Sequence, residues 1–522
     1  MSGKLLRSTS IIAVMTLVSR ISGLLRDIMF ANMLGDKSVA DIFFIAFRIP
    51  NFFRRITAEG AFAAGFVPVF TDFRQNSRQQ DTDRFIQLVL GWFGLILAVI
   101  SVSGVLCAPW LVKMLAWGFQ YQEPGKFAQT VAATRLTFPY LFFISLVAMS
   151  AGILNSCGRF AAPAVTPVLL NLSLITAALW LTPVFTNEPA ALAVGVLIAG
   201  LVQLIFQIPF LRREKITLRP RLRPGPGGEA AKKGVKQVFS LMLPAIFGVS
   251  VAQLNVLVGT LLASLMAEGS VAWLYYSERL MEFPVGVFGI ALGTVILPNL
   301  SRKHAAKSPL AFSRTLDWAA RWVTMVCVPA TAALTILAWP LISTIYFHGD
   351  FTENGVHMST ASLIAYSAGL LPIVMVKVLA PGYYARKNTR IPVRIGVVAM
   401  IVNIVVSLLL FRSMQHVGLA MATSIAAMVN ALLLYSGLRR EGVFVAESGW
   451  ILFFLKVLCA TTVMSIMLLW AAGDPANWLA FSVSERILKL LLWVPAGGLV
   501  YFLVLYICGL RVHAMLLDRK SE

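Results

Sequence analysis

Asp41-Ile42-Phe43-Phe44-Ile45-Ala46-Phe47-Arg48-Ile49-Pro50-Asn51-Phe52-Phe53-Arg54-Arg55 is an apolar run that carries three arginines. Asp41, Arg48 and Arg55 are spaced by seven, which puts them on one stripe of a helix. Glu59 extends the stripe, Arg54 adjoins it, and Pro50 distorts it. The rest of the chain says what surrounds such a helix. Of its 522 residues 58% are apolar and 13% charged, and the mean hydropathy is +0.80. Leu88 to Ala108, Leu141 to Leu154 and Val397 to Leu410 read as bilayer-spanning helices or parts of them. Polar and Pro/Gly breaks divide the chain into about fourteen such segments: 9–33, 39–70, 85–112, 128–156, 160–182, 189–211, 237–265, 270–299, 311–346, 356–385, 391–411, 417–438, 450–472 and 485–510. A bilayer admits helices or closed barrels, and segments this long without strand alternation select helices. The expected fold class is an all-α polytopic membrane protein.

The formal net charge is +21. With the N-terminus inside, cations collect on the even-to-odd connections and the tails, among them Arg74, Arg78, Arg84, Arg159 and the 212–236 run. The opposite loops hold only Lys37, Lys113, Lys126 and Arg412, beside acids such as Asp36, Glu268 and Asp474. This is the positive-inside pattern. It predicts an even number of crossings with both termini cytoplasmic, and it accounts for the charge without a nucleic-acid partner. Lys4 and Arg7 precede an apolar stretch, but Ser19, Arg20 and Ser22 interrupt it and no small-residue cleavage site follows, so it reads as a retained first helix. Five scattered cysteines and five scattered histidines lack disulfide or metal-ligand spacing. No glycine-rich stretch ends in Gly-Lys-Ser/Thr. No cofactor and no metal are expected.

A weak internal repeat organises the spans. Ser38-Val39-Ala40 recurs as Ser270-Val271-Ala272, Phe66-Val67-Pro68 corresponds to Ile296-Leu297-Pro298, and Pro139 and Asn171 have counterparts in Pro372 and Asn403. The order suggests an N-terminal lobe at 1–211, a basic linker at 212–236 and a C-terminal lobe at 237–440, with two further helices at 441–522. Repeats of this kind place a transport site between the halves near the midplane.

Charges inside spans are costly. Span one holds Arg20, Arg26 and Asp27, with Arg20 about 16 Å from residue 9 along the axis. Span eight holds Glu278, Arg279 and Glu282, the last two close enough to pair. Across spans one, two and eight, six arginines face five carboxylates. The Arg54-Arg55 doublet calls for counter-charge, and guanidinium forks suit phosphate or carboxylate oxygens. Lys377 in span ten either lines the same cavity or snorkels. Arg135, Asp317, Arg321, Lys456, Arg486 and Lys489 read as interfacial anchors near span ends.

Ser19-Arg20 with Gly23-Leu24-Leu25-Arg26-Asp27 resembles the first helix of the MurJ (MviN) lipid II flippases. So do the 41–55 run and Ala58-Glu59-Gly60-Ala61-Phe62, together with Tyr275 to Pro284 and Lys377 to Tyr384. The resemblance implies fourteen helices of the multidrug/oligosaccharidyl-lipid/polysaccharide exporter superfamily, with two lobes around a cationic cavity and a lipid-tail groove at helices 13 and 14. It implies Arg20, Arg26, Arg54, Arg55 and Arg279 as substrate-binding residues, with Asp41 as an acidic partner. Supporting or gating roles fall to Ser19, Asp27, Asp41, Arg48, Asn51, Glu59, Glu282 and Lys377.

The implied protein is a transporter of the bacterial inner membrane, not an enzyme. It would move undecaprenyl-diphosphate-disaccharide-pentapeptide outward by alternating access, with the membrane potential as driving force. Its partners would be lipid II and membrane lipids, and an added role beside wall-synthesis or division proteins stays open. Some relatives resemble sodium-coupled transporters. Here span seven offers Gln253 and Asn255 but no acid before Glu268, and span eleven has none, which argues against sodium coupling. The alternatives are another oligosaccharide-lipid flippase of the superfamily, or a membrane enzyme acting on polyprenyl-linked sugars. The short outer loops, without a paired Asp/His constellation, disfavour the enzyme.

Overall fold

The protein is described by a computed structural model covering residues 3–56, 62–122, 125–185, 187–216 and 218–510, with side chains from Val14 onward except at 247, 248, 251, 252 and 287–295. Among the described residues there is no strand. The chain forms two compact units, Met1–Ala272 and Trp273–Glu522. The first contains α1 (Gly3–Leu34), α2 (Ser38–Arg54), α3 (Ala63–Asn76), α4 (Gln79–Leu106), α5 (Ala108–Leu115), α6 (Phe119–Gln122), α7 (Lys126–Thr137), α8 (Tyr140–Ser156), α9 (Ala161–Trp180), α10 (Glu188–Arg213) and α11 (Glu229–Ser264). Helix α12 (Ser270–Ala305) begins there and continues into the second unit. That unit adds α13 (Pro309–Ile336), α14 (Ala338–Ile345), α15 (Glu353–Ser367), α16 (Leu370–Tyr384), α17 (Arg390–Arg440), α18 (Trp450–Ala472), α19 (Pro475–Ala480) and α20 (Val483–Ile507).

Nine helical runs among the described residues are long and apolar enough to cross a membrane, and the chain is a multi-pass membrane protein. Two of them join consecutive helices: α7 with α8, and α15 with α16. Helix α17 is one run only in outline. Gln415 has φ 47° and reverses the chain, bringing Gly418 against Leu410, where an added Cβ would lie 2.8 Å from the Leu410 carbonyl oxygen. This reversal separates the two spans expected at 391–411 and 417–438. Helices α1, α2 and α12, which bear most of the in-span arginines, are not among these nine runs.

Local sequence starts the helices where it should. Asn187 accepts from the Ala190 amide ahead of α10, Thr352 caps α15 through Gly355, and Ser482 with Glu485 forms a capping box on α20. In the first unit, Phe62, Phe66, Phe70 and Phe73 recur at helical spacing and meet Phe85 and Phe93 of α4 in stacked rings, with centroids 4.2 Å apart for Phe62–Phe93 and 4.4 Å for Phe73–Phe85. Val235, Val238 and Met242 of α11 complete this core. The segment 237–265 therefore packs on α3 and α4. In the second unit, Met325 of α13 joins Val457 and Met464 of α18, and the Tyr501 hydroxyl of α20 donates to the Met325 carbonyl at 2.6 Å.

Two residues read as interfacial anchors prove buried. Asp317 accepts from Arg321 Nε at 2.8 Å and Trp450 Nε1 at 2.6 Å, tying α13 to the chain before α18. Arg486 donates to the carbonyls of Leu479, Phe481 and Ser343, bonds that hold its guanidinium without a carboxylate among the described residues. Span-end position did not distinguish Arg486 from a snorkelling cation, because carbonyl partners leave no trace in the sequence.

The basic segment 212–236 is seated on the first unit. Ile216 and Leu218 join its core, and the Arg221 amide donates to the Gln87 carbonyl of α4 at 3.0 Å. Gly91, one turn beyond Gln87, makes room: a Cβ there would stand 2.1 Å from the Arg221 carbonyl oxygen. Gly91→Val is expected to unseat the segment at a cost of about 1–3 kcal/mol. The check is limited tryptic proteolysis after Arg221, which unlike Arg219 and Arg223 precedes no proline; it should be cut several-fold faster than in the parent.

Candidate functional site

In the first unit the charges sort into satisfied and unsatisfied sets. Arg26 Nε and Nη2 both donate to Asp27 Oδ1, at 3.0 and 2.6 Å, and Nη1 donates to Asn171 Oδ1 of α9 at 3.0 Å. The Asn171 amide donates onward to the Ser19 carbonyl and the Ser22 hydroxyl, at 3.1 and 2.9 Å. Arg26 and Asp27 are 6% and 3% exposed, so this is a closed ion pair whose arginine also rests over the Phe30 ring. The side-chain amide of Asn171 accepts one bond from a cation and donates two to α1, a combination that its carbonyl oxygen and NH2 group supply.

Arg20 lies on the same helix, half-buried, and makes no ion pair with a described residue. On α2, Arg48 donates to the Thr260 hydroxyl of α11 at 2.7 Å, and Arg54 Nε donates to Asn51 Oδ1 at 3.0 Å. Asn51 in turn donates to the Phe47 carbonyl, one turn back beside Pro50. Arg55 is exposed and, with Ile56, lies in a π-helical turn that follows α2. Neither Arg48 nor Arg55 has a carboxylate partner among the described residues. Glu59, expected on this stripe, lies outside the described residues.

Asp41 does not stand beside these arginines. It is 1% exposed and pairs with Lys126 of α7, whose Nζ lies 3.0 Å from Asp41 Oδ2. The same carboxylate accepts from the Gly269 and Ala272 amides at 2.9 and 3.0 Å. Lys126, read in the sequence as a loop cation, is itself 1% exposed. Its burial could have been suspected from its position at the head of a long apolar run.

In the second unit, Arg279 Nη1 meets Glu282 Oε2 at 3.0 Å, and its guanidinium lies 4.9 Å from the Tyr275 ring centroid. Both charged side chains are more than a third exposed, so solvent screens the pair. Lys377 is half-buried on α16. The structure thus brings Arg26, Asp27 and Ser19 together on α1, pairs Arg279 with Glu282, and separates Asp41 from the arginine stripe. The sequence reading missed Lys126 and Thr260 as partners. It found Asn171 only as a repeat marker, though an amide inside an apolar span was a signal.

Comparison with known proteins names this arrangement. A family model described as "Lipid II flippase MurJ" matches residues 30–489. A "Probable lipid II flippase MurJ" of Vibrio cholerae is 42% identical over 520 residues, covering 98% of this chain and 97% of the relative. "Lipid II flippase MurJ" of Burkholderia cenocepacia is 35% identical, covering 97% and 98%. Among solved structures, "Lipid II flippase MurJ, inward closed conformation" aligns with a TM-score of 0.79 at 25% identity, over 95% of this chain and 98% of that one. An inward-facing multidrug resistance MATE family transporter of the MOP superfamily aligns at 0.68 and 12% identity over 83% and 98%, a likeness of fold. The match along almost the whole of both chains, together with the family model over residues 30–489, makes this chain a member of the MurJ family of lipid II flippases.

Proposed function

We propose that this chain moves lipid II, undecaprenyl-diphosphate-disaccharide-pentapeptide, from the cytoplasmic to the outer leaflet of the bacterial inner membrane by alternating access, both termini lying in the cytoplasm. The observation that carries the reading is the charge balance of α1 and α2. Asp27 pairs with Arg26 and Asp41 with Lys126, while Arg20, Arg48 and Arg55 make no ion pair with a carboxylate among the described residues. An anionic head group supplies what they lack. Arg20, Arg54, Arg55 and Arg279 contact the diphosphate and peptide carboxylates through paired N–H donors. Arg26 belongs to the same substrate-binding set, and its closed network sets the path of α1 beneath Arg20. Asn51 orients Arg54 on α2 and Glu282 tunes the charge of Arg279, with Arg48, Glu59 and Lys377 assigned supporting roles beside them.

The functional lobes are 1–211 and 237–440, with 212–236 between them and the tail carried at 441–522. Only the polar head is desolvated, because the polyprenyl chain stays in lipid. No cofactor is used. An inside-negative potential favours outward movement of each negative charge by about 2.3 kcal/mol per 100 mV.

Purified protein in liposomes with labelled lipid II tests this. An inside-negative potential is expected to raise the outward-accessible fraction several-fold over the unpolarised control. Equal fractions with and without protein would sink the reading, and equal fractions with and without potential would remove the driving force from it. A membrane enzyme acting on the same lipid would instead alter its sugar moiety, which chromatography of the recovered lipid reads directly.

A further inference from the structure

The connection 264–272, between α11 and α12, is fastened to α2, α6 and α7 by a set of bonds centred on one buried ion pair. Gln122 Nε2 donates to the Ser264 carbonyl at 2.9 Å and also to that of Met266. The Gly118 amide faces Ser264 Oγ at 3.3 Å, with no room for a side chain at Gly118, where a Cβ would stand 1.9 Å from the Ser264 carbonyl oxygen. The Ser38 amide donates to Glu268 Oε1 at 2.8 Å. Asp41 closes the set by accepting from Gly269 and Ala272, so its carboxylate caps the first turn of α12.

A carboxylate this deeply buried is stable as an anion only beside a cation. Lys126 is that cation. Its ammonium is enclosed by Asp41 Oδ2, by Gln122 Oε1 at 2.9 Å and by the Phe119 ring, whose centroid is 4.2 Å away. Because Gln122 also holds Ser264 and Met266, Lys126 touches both fastenings of the turn, one through each of its oxygen partners. Helix α12 carries Arg279 and Glu282 two to three turns further along, so the path of its first turn bears on where they are carried.

We propose that Lys126 is a positioning residue for transport: it holds Asp41 charged and aimed, and thereby keeps the 264–272 turn docked until the ion pair separates. It acts through Asp41 and touches no substrate.

The test uses the full chain with its five native cysteines replaced and Ser270→Cys introduced, a position with 0% exposure. Maleimide labelling in membranes reads docking without any lipid II. Lys126→Met, close in shape but uncharged, is expected to raise the labelling rate at least about tenfold, a change of about 1.4 kcal/mol. Asp41→Asn should do the same, and the double variant should label no faster than Asp41→Asn alone. Labelling of Lys126→Met at the parent rate, or effects that multiply in the double variant, would overturn the proposal, because a packing role predicts either. If Lys126→Met fails to accumulate, Asp41→Asn against the double variant decides alone: equal rates support coupling, and a further tenfold rise refutes it. The matching transport rates rest on the proposed function, with a fall of at least about tenfold expected for Lys126→Met. The labelling does not, so a chain that never moves lipid II leaves the docking result standing.

Discussion

Arg20→Ala is expected to lower lipid II translocation at least about a hundredfold, with insertion and thermal stability unchanged. One guanidinium can give a phosphate two charge-assisted hydrogen bonds, each worth about 1.5 kcal/mol or more, and 3 kcal/mol is about a hundredfold. The structural cost is small because Arg20 makes no ion pair with a described residue, so its removal strands no buried carboxylate. Arg20→Lys should recover only part of the rate, since an ammonium keeps the charge and loses the fork. Arg54→Ala and Arg279→Ala are expected to fall with it. Removal of Arg279 leaves Glu282 with solvent to screen it, which holds the stability effect below about 1 kcal/mol. Parent-rate flipping in all three, measured with labelled lipid II in proteoliposomes, would remove these arginines from the transport path.

Asp27→Ala should fail for the opposite reason. It takes from the buried Arg26 the carboxylate that accepts from its Nε and Nη2, and breaking a buried pair costs about 3–5 kcal/mol. The expected result is a large drop in apparent melting temperature in detergent and a low level in membranes, far beyond the effect of Arg20→Ala. The double variant Arg26→Met with Asp27→Ala removes the pair whole, and stability should return close to the parent. Transport then separates the roles of Arg26. A stable double variant that still cannot flip lipid II makes Arg26 a substrate ligand, whereas recovered flipping confines it to holding α1 against α9 through Asn171. Unchanged stability of Asp27→Ala itself would mean that the pair is not the closed network the geometry describes.

The all-α fold and most of its span boundaries were legible because apolar length and periodicity are local properties of the chain. The Phe62, Phe66, Phe70 and Phe73 series is visible as a stripe before any partner is known. What the sequence could not fix was which charge meets which. Arg26 and Asn171 are 145 positions apart, and Asp41 and Lys126 are 85 apart. Their meeting depends on how α1 lies on α9 and α2 on α7. Asp41 shared a seven-residue spacing with Arg48 and Arg55, which suggested a common stripe, yet its partner came from another helix. Proximity in periodicity is a statement about one helix, and a buried charge answers to the nearest opposite charge in three dimensions.

The seat of 212–236 on α4 is made by a main-chain amide, a main-chain carbonyl and the missing side chain of Gly91. None of these atoms changes when a neighbouring arginine is exchanged. The charge of this stretch can therefore drift, or be rewritten by an engineer, while its anchorage persists. The exposed Gly225-Pro226-Gly227 bend just beyond it is the natural place to graft an epitope or a fluorophore that reports on the transporter without prising the strap loose.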